Sequence, residues 1–396
     1  MTAPRILVSG ASIAGPTLAY WLHRRGFAVT VAEKAAAVRG GGYPIDIRGT
    51  ALGVVEQMGL LPAVRDAHVD SRRITFLGAD GAPVAAVEPD AFVGGVGGRD
   101  VELPRGTLTE LLYGAARDDV EFLFENSIAA LEDDGDGVDV TFDDGGHRRF
   151  DLVVGADGLH SHTRALVFGP EEQYHRYLGY CFAGWTMPNR FGLSHEGVLW
   201  SVPGRGAVIY AVGGADEVHG FLSFTRDTPP FDAFRDPRAQ RDLVAATFAG
   251  DGVWEVPALV AAMRETDDVF FDVVSQIRMP RWSSGRVGLV GDAAHAPSFL
   301  SGQGSSLALV GAYVLAGELA EAPSYREGFD RYEQRLRAFV AQNQALADSG
   351  RTVIVPRTAG DIAQRDAALR EGVTPSGDDV RRAATALDLP GYPEAA

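Results

Sequence analysis

Residues 5–34, RILVSGASIAGPTLAYWLHRRGFAVTVAEK, decide the fold. The run Ile6 to Ser9 predicts a strand, and Pro16 to Arg25 predict a helix that is closed by Gly26. Proline suits the first turn of a helix, and glycine suits the left-handed residue after its end. A second apolar run, Ala28 to Ala32, follows directly. The order strand, turn, helix, strand predicts a βαβ unit within a Rossmann-type α/β fold.

The turn of this unit, Gly10 to Gly15, follows the glycine pattern of dinucleotide-binding proteins except that Ser12 replaces the middle glycine. Such a turn lets backbone N–H groups and the positive end of a helix dipole meet a pyrophosphate. Glu33 has the spacing of an acid that binds ribose hydroxyls, which disfavours NADP here and leaves FAD or NAD. We expect contacts with the dinucleotide from Gly10, Ser12, Ile13, Ala14, Gly15, Glu33 and Lys34.

Beyond this unit the chain alternates between strand-rich and α/β patterns. A predicted hairpin places Val198 to Val202 and Ala207 to Val212 on either side of residues 203–206, whereas Val287 to Val290 and the helix from about Ser306 to Ala320 return to the α/β pattern. We therefore predict a cofactor domain with C-terminal helices, made of residues 1–72, 98–176 and 275–396. A strand-rich substrate domain, residues 73–97 and 177–274, is inserted into it.

Composition limits the function classes. The 396 residues are 46% hydrophobic and 22% charged, which is typical of a globular protein able to bury a cofactor. A formal net charge of -17 argues against nucleic acid and anionic membrane surfaces as partners. Cys181 is the only cysteine, which excludes an intrachain disulfide, and the first residues lack a signal-peptide pattern. We expect a soluble, cytoplasmic protein, either monomer or homodimer.

Two further segments choose between FAD and NAD. They are Asp151 to Gly158, DLVVGADG, which is followed by Ser161 and Arg164, and Gly288 to Pro297, GLVGDAAHAP. With the glycine turn, they resemble the three fingerprints of the group A FAD-dependent aromatic monooxygenases, which have the para-hydroxybenzoate hydroxylase fold. The short chain resembles the tetracycline-inactivating and polyketide hydroxylase members of that family.

The resemblance implies FAD contacts outside the glycine turn. Asp292 would accept hydrogen bonds from the ribityl chain, and the loop 301–305 would direct a helix start at the flavin. The family usually carries an asparagine and an acid where this chain has Ser306 and Gly311. A structural Asp157–Arg164 pair is as compatible with the sequence as a cofactor contact. Gly41 and Gly42 match a flexible segment near the flavin. The further FAD contacts implied are Arg48, Arg105, Asp157, Arg164, Gly291, Asp292, Pro297, Gly302, Gly304 and Ser305.

The resemblance also implies the reaction. NADPH or NADH would act as the transient electron donor, O2 would form a flavin C4a-hydroperoxide, and one oxygen atom would pass to an aromatic or polyketide-like small molecule. The flavin carries this chemistry, so we expect no catalytic side chain and no metal. The substrate would lie between flavin and the strand-rich domain. Candidate contacts, for each of which core packing is an equal alternative, are Trp200, Tyr210, His219, Phe221, Phe224, Arg226 and Phe299.

Other functions share parts of this pattern. A flavin-dependent halogenase needs a catalytic lysine, and Lys34, the only lysine, stands beside the ribose acid. An FAD-dependent reductase or dehydrogenase of an isoprenoid-like substrate has the same order of segments, and a non-catalytic FAD-binding redox sensor could retain all three fingerprints. The sequence leaves these two alternatives open, together with hydroxylation against Baeyer–Villiger insertion.

Overall fold

The computed structural model describes residues 3–38, 40, 42–89, 100–212, 216–234, 236–372 and 377–393. Within these ranges the strands are β1 Arg5–Ser9, β2 Ala28–Glu33, β3 Pro44–Ile47, β4 Arg73–Leu77, β5 Pro83–Val87, β6 Val101–Pro104, β7 Glu121–Phe124, β8 Ile128–Asp133, β9 Val138–Phe142, β10 His147–Phe150, β11 Leu152–Gly155, β12 His175–Pro188, β13 Glu196–Val202, β14 Arg205–Ala211, β15 Glu217–Thr225, β16 Phe270–Ile277, β17 Ser283–Ser284 and β18 Val287–Leu289.

The helices of the same ranges are α1 Ala14–Arg24, α2 Thr50–Gln57, α3 Leu61–Asp66, α4 Arg105–Ala116, α5 His162–Phe168, α6 Pro237–Phe248, α7 Val256–Glu265, α8 Asp292–His295, α9 Gly304–Glu321, α10 Tyr325–Ala345, α11 Ala347–Ile354, α12 Ala359–Arg370 and α13 Gly377–Ala384. Short 3-10 helices cover Glu171–Gln173 and Phe299–Ser301. None of these helices combines the length and the apolar character needed to cross a membrane.

A six-stranded sheet in the order β17-β18-β11-β1-β2-β7 carries the predicted βαβ unit. The strands from β18 to β7 are parallel, and only the short edge strand β17 runs against its neighbour. The central strand β1 is buried from Ile6 to Ser9, as expected where helices cover both faces of a parallel sheet. Helix α1 begins at Ala14 and not at Pro16, because the end of the glycine turn is already helical. The predicted α/β fold class is confirmed.

A seven-stranded sheet in the order β16-β12-β15-β14-β13-β4-β5 forms the second layer system. The hairpin predicted around residues 203–206 is tighter than expected, because Arg205 and Gly206 already belong to β14. Gly204 adopts a φ of 75°, which a two-residue turn of this kind requires. One face of the sheet packs on α6 and α7 through Leu222, Phe224, Phe248 and Leu259. On the other face, Phe76 and Leu199 pack against Val353 of α11 and Leu369 of α12.

Smaller elements connect these two sheets. Strands β3 and β6 form a two-stranded antiparallel ribbon, and β8 to β10 form a three-stranded antiparallel sheet. Helix α9 is buried over most of its length and packs on α1, α2 and α10. An all-round apolar helix of this kind belongs in a core. The packing of α9 in the core places its start, at Gly304, beside the carboxyl ends of the parallel strands.

Candidate functional site

The three motif segments converge at one edge of the parallel sheet. Gly10 follows β1, Asp157 lies two residues after β11, and Gly291 lies two residues after β18. These three strands are neighbours in the order β18-β11-β1, and β2, which ends at Glu33, comes next. Ligands of open α/β sheets bind outside the carboxyl ends of the strands. This edge is therefore the candidate cofactor site.

The glycine turn can be built only without side chains at two positions. Gly10 has a φ of 107°, and a Cβ atom there would lie 2.6 Å from the Ala156 carbonyl oxygen. A Cβ atom on Gly15 would lie 1.9 Å from the Gly10 carbonyl oxygen. Helix α1 then begins at Ala14 without a side-chain cap and without an acidic residue in its first turn. Free N–H groups at such a helix start suit a pyrophosphate.

Ser12, which replaces the middle glycine, has a specific contact. Its hydroxyl oxygen accepts a hydrogen bond of 3.0 Å from Nη2 of Arg105. Arg105 is the first residue of α4, and its backbone N–H points to the Tyr43 carbonyl oxygen at 3.4 Å. The serine thus holds the guanidinium group of Arg105, a predicted FAD contact, over the glycine turn. The planar fork of donors on a guanidinium group suits phosphate oxygens.

Glu33 lies at the side of the turn where the sequence predicts the ribose. One carboxylate oxygen accepts the Ala11 N–H at 2.8 Å, and the other accepts the Ala35 N–H at 2.9 Å. Each carboxylate oxygen can accept a second hydrogen bond, so both remain able to bind ribose hydroxyls. Lys34, the next residue, is exposed to solvent.

Asp292 occupies the opposite side of the cleft. It is the first residue of α8 and follows Gly291, whose φ is 64° and whose Cβ position would lie 3.1 Å from the Ala14 Cβ atom. Burial raises the pKa of the Asp292 carboxyl, and the positive charge of Arg105 opposes that shift. Asp292 is half-buried, and a carboxylate that has lost part of its water needs other hydrogen-bond donors. The hydroxyl groups of a ribityl chain would provide such donors.

The predicted loop and helix start lie next to Asp292. Gly302 is left-handed with a φ of 64°, and the Cβ position of Gly304, where α9 begins, is 3.9 Å from Oδ1 of Asp292. Helix α9 has no side-chain cap and no acid in its first turn, which includes Ser305. Its free N–H groups therefore face the same cleft as Asp292 and can stabilise negative charge there.

The remaining predicted cofactor residues are engaged within the protein. Arg48 is buried and pairs with Asp46 at 2.6 Å, and its backbone N–H donates to the hydroxyl of Ser306 at 3.2 Å. Ser306 thus has a role of its own where the resembled family has asparagine. The Pro297 carbonyl oxygen accepts the Gln276 side-chain amide at 3.0 Å. Gly42 has a φ of 89°, and Gly41 lies outside the described residues.

Asp157 and Arg164 do not pair with each other. The Asp157 carboxylate accepts the Ser161 hydroxyl at 2.5 Å and both the N–H and hydroxyl of Thr163, at 2.8 and 2.9 Å. These bonds fix the start of α5. Arg164 is fully buried and donates to the Ala293 carbonyl oxygen at 2.9 Å. Both residues therefore support the cleft structurally, and Arg164 joins the α5 segment to the Asp292 segment.

An aromatic chamber, which we define as Tyr43, Phe182, Phe221, Phe270 and Phe299, borders the cleft. Phe182 stacks on Phe299 with ring centroids 4.7 Å apart, and Tyr43 meets Phe221 and Phe299 edge to face at 5.7 and 6.0 Å. Phe270 and Phe299 are 43% and 37% exposed, so the chamber offers apolar surface to a ligand. Gly184 allows the Phe221 ring to cross β12, because a Cβ atom there would lie 2.9 Å from that ring.

Tyr43 joins the aromatic chamber to the cofactor cleft. Burial raises the pKa of its hydroxyl, Arg105 opposes the shift, and Asp292 and Asp272 reinforce it. The charges of Arg105 and Asp292, which flank the proposed FAD site, therefore act on the Tyr43 hydroxyl, while the Tyr43 ring forms a wall of the aromatic chamber. It stays neutral and can donate a hydrogen bond at the boundary between the two spaces.

The structure divides the predicted substrate residues. It brings Phe221 and Phe299 into the aromatic chamber but places Trp200 and Phe224 in the core against α6 and α7, on the opposite face of the sheet. For these two, the core-packing alternative holds because neighbouring residues along a strand point to opposite faces. The remaining three are engaged at the sheet: Tyr210 donates to Glu102 at 2.8 Å, His219 is near Thr186 at 3.4 Å, and Arg226 donates to the Thr228 carbonyl at 3.0 Å.

Sequence reasoning missed Tyr43, Phe182 and Phe270. Phe182 and Phe270 belong to β12 and β16, whose pairing is not visible in the sequence. Tyr43 directly follows the Gly41–Gly42 pair, and that position was the one available signal for it. In the described ranges, no group of three or more His, Cys, Asp or Glu residues is arranged to hold a metal ion.

Removal of the ribose acid gives a direct test of the cleft. We expect Glu33→Ala to weaken FAD binding about tenfold or more, because hydrogen bonds to a charged group contribute about 1.5–3 kcal/mol. The dissociation constant is measured by flavin fluorescence in an equilibrium titration. The exposed Glu132→Ala variant is the control and should bind FAD like the parent. An unchanged constant for Glu33→Ala would exclude the assigned role.

Comparison with known proteins shows that this chain belongs to an FAD-binding family. Residues 4–183 and 258–347 match a family model described as FAD binding domain. The uncharacterized protein Rv1260 of Mycobacterium tuberculosis is 46% identical over 343 residues, which cover 86% of this chain and 92% of that protein. A flavin-dependent monooxygenase from an unknown prokaryotic organism is 38% identical over 344 residues, covering 86% of this chain and 88% of that protein. The crystal structure of tetracycline destructase Tet(55) has a TM-score of 0.86 at 33% identity and covers 99% of both chains.

Proposed function

We propose that this chain, which belongs to the FAD binding domain family and is a flavin-dependent monooxygenase, hydroxylates an aromatic or polyketide-like small molecule. It would use NADPH or NADH and O2 to do so. When bound, FAD supplies the redox chemistry, taking two electrons from the nicotinamide and delivering one atom of O2 to the substrate while the other leaves as water. The side chains of this protein would bind FAD and the substrate, orient them and exclude water from the site.

The aromatic chamber is the observation that carries this proposal. Tyr43, one of its five rings, contacts Phe221 and Phe299 and lies close enough to Arg105 and Asp292 for their charges to shift its pKa. Rings that stack and meet edge to face form a surface complementary to a flat aromatic substrate. The same rings would exclude water from the place where oxygen is transferred. A reductase acting on a flexible isoprenoid-like chain would not need such an arrangement.

Each part of the cleft has a proposed binding role. The glycine turn and Arg105 would hold the pyrophosphate, Glu33 the ribose, and Asp292 with the start of α9 the ribityl chain and the flavin. The substrate would enter from the seven-stranded sheet and lie against Phe221 and Phe299. Tetracycline is the first compound to test, because the similar structure Tet(55) is named a tetracycline destructase.

The experiment is turnover of the FAD-loaded protein with NADPH and O2, with tetracycline and a panel of phenolic compounds. The proposal predicts that one compound accelerates NADPH oxidation and yields a product that is one oxygen atom heavier. A product that gains two hydrogen atoms and forms without O2 would instead identify the reductase alternative. NADPH oxidation that no compound accelerates would contradict the proposal.

A variant of the aromatic chamber separates substrate binding from FAD binding. Phe299→Ala should raise KM for the accepted compound about tenfold or more, because burying an aromatic side chain contributes about 1.5–3 kcal/mol. Its FAD content should not change. Phe231→Ala is the matched control, because Phe231 is 67% exposed and packs on Phe234 outside the aromatic chamber. Equal KM values for both variants would show that the chamber is not the substrate site.

A further inference from the structure

His160 is held between two carboxylates at the junction of the two sheets. Its Nδ1 lies 2.8 Å from Oε1 of Glu171, and its Nε2 lies 3.2 Å from Oδ1 of Asp272. An imidazole with an acceptor at each nitrogen donates from both, which requires the protonated ring. Hydrogen bonds that the ring donates to Asp272 and Glu171 raise the pKa of His160 to about 10, although its partial burial opposes this. His160 is therefore a fixed positive charge at neutral pH.

The pair with Glu171 continues into the cofactor cleft. Oε2 of Glu171 accepts from Nη2 of Arg164 at 2.5 Å, and Nη1 of Arg164 donates to the Ala293 carbonyl oxygen at 2.9 Å. Ala293 directly follows Asp292, the proposed ribityl ligand. A continuous series of hydrogen bonds thus runs from the half-exposed imidazole to the peptide beside the proposed FAD site.

The pair with Asp272 reaches the aromatic chamber. Asp272 on β16 is opposite Phe182 on β12, and directly opposed residues of paired strands share one face of the sheet. Asp272 therefore lies on the chamber face, next to Phe182 and two residues from Phe270. Its negative charge raises the pKa of both Tyr43 and Asp292, after the larger effect of their burial. The charge on Asp272 therefore acts on groups both in the cofactor cleft and in the aromatic chamber.

The charges of this cluster balance only with His160 protonated. The positive groups are His160 and Arg164, and the negative groups are Glu171 and Asp272, of which only 15% of the Asp272 side chain is exposed. His175 also faces the cluster, but burial lowers its pKa, so it is neutral at neutral pH. The ring of Phe234 covers the imidazole at 6.5 Å and carries no charge. Loss of the His160 charge would leave Asp272 without its hydrogen-bonded cation at the chamber face.

We propose that His160, through its ion pair with Asp272, sets the electrostatic potential at the boundary between the cofactor cleft and the aromatic chamber, and with it the reduction potential of the bound flavin. Reduction adds negative charge to the flavin, so a nearby unmasked carboxylate disfavours it and a removed carboxylate favours it. His160 acts through Asp272 and is a positioning residue. This inference rests on FAD binding alone and is independent of the substrate.

The test compares neutral replacements of similar size in the FAD-loaded protein without substrate. The midpoint potential of the flavin is measured by equilibration with a reference dye during slow enzymatic reduction. His160→Gln should shift the potential to more negative values, and Asp272→Asn should shift it to more positive values. The double variant, which loses both charges, should lie close to the parent.

Two further variants separate electrostatics from structural damage. His160→Arg keeps a cation with several donors and should restore the parental potential. The control His147→Gln removes an exposed histidine of the three-stranded sheet, whose ring bonds to the Thr141 hydroxyl, and should cause no shift.

The signs of the shifts decide the outcome. Shifts of one sign for both His160→Gln and Asp272→Asn, or a parental potential in both, would overturn the proposal. A folded His160→Gln variant that cannot retain FAD would show that the cluster maintains the architecture of the cleft and not its potential, and would also overturn it. A correct proposal is unaffected by failure to find the substrate, because every measurement here is made without one.

Discussion

Asp292→Ala should emerge from gel filtration without flavin. Asp292 is a half-buried carboxylate whose Oδ1 atom lies 3.9 Å from the Cβ position of Gly304, at the start of α9. Loss of two hydrogen bonds to a charged acceptor weakens binding by about a hundredfold or more. FAD retention is measured as the ratio of absorbance at the flavin band to that of the protein.

The control for this variant is Asp118→Ala, because the Asp118 side chain is 87% exposed on the same domain. It should retain the parental amount of FAD. The melting temperature of Asp292→Ala without FAD should match that of the FAD-free parent, which separates a lost ligand from a lost fold. Full retention of flavin by Asp292→Ala would remove the assignment of this residue.

Gly15→Ala should abolish FAD binding through the backbone of the turn. The added Cβ atom would lie 1.9 Å from the Gly10 carbonyl oxygen. Because that oxygen belongs to the backbone, it cannot move aside as a flexible side chain could. The turn must open, which displaces the N–H groups at the start of α1 that we propose bind the pyrophosphate. The FAD dissociation constant and the melting temperature of the FAD-free protein measure the two consequences.

Gly114→Ala is the matched control for the turn. It makes the same substitution within helix α4, where nothing lies within 4 Å of the new Cβ atom. Replacing glycine by alanine at a compatible helical position stabilises a protein slightly, by about 0.4–1 kcal/mol. We therefore expect unchanged FAD binding and an equal or higher melting temperature. Parental FAD affinity in Gly15→Ala would contradict the close approach on which the cleft depends.

The cofactor and the fold class could be predicted because each rests on local sequence. The glycine turn, Glu33 and the Gly291–Asp292 pair each end a strand, and parallel strands bring their carboxyl ends to one edge without further information. The predicted α/β fold, FAD and the class of FAD-dependent monooxygenase are confirmed. The individual contacts with FAD stay predictions, which the variants above test.

The substrate side was less predictable because it depends on which strands pair and which face each residue takes. Phe221 and Trp200 are both aromatic residues of strands, yet the structure places Phe221 in the aromatic chamber and Trp200 in the core. Tyr43 and Phe270 come from segments far apart in the chain. The sequence could not indicate that Asp157 would bond to Ser161 and Thr163, since an aspartate before a helix is compatible with a cofactor contact as well.

An FAD-dependent monooxygenase shows a characteristic sequence of changes in its absorbance spectrum. The absorbance spectrum of the purified protein is recorded, NADPH is added without oxygen, and air is then admitted in the presence of an accepted aromatic compound. We predict a yellow protein that NADPH bleaches and air recolours, with a product one oxygen atom heavier. A colourless protein that cannot be reconstituted with FAD would show that this chain is not an FAD-dependent monooxygenase.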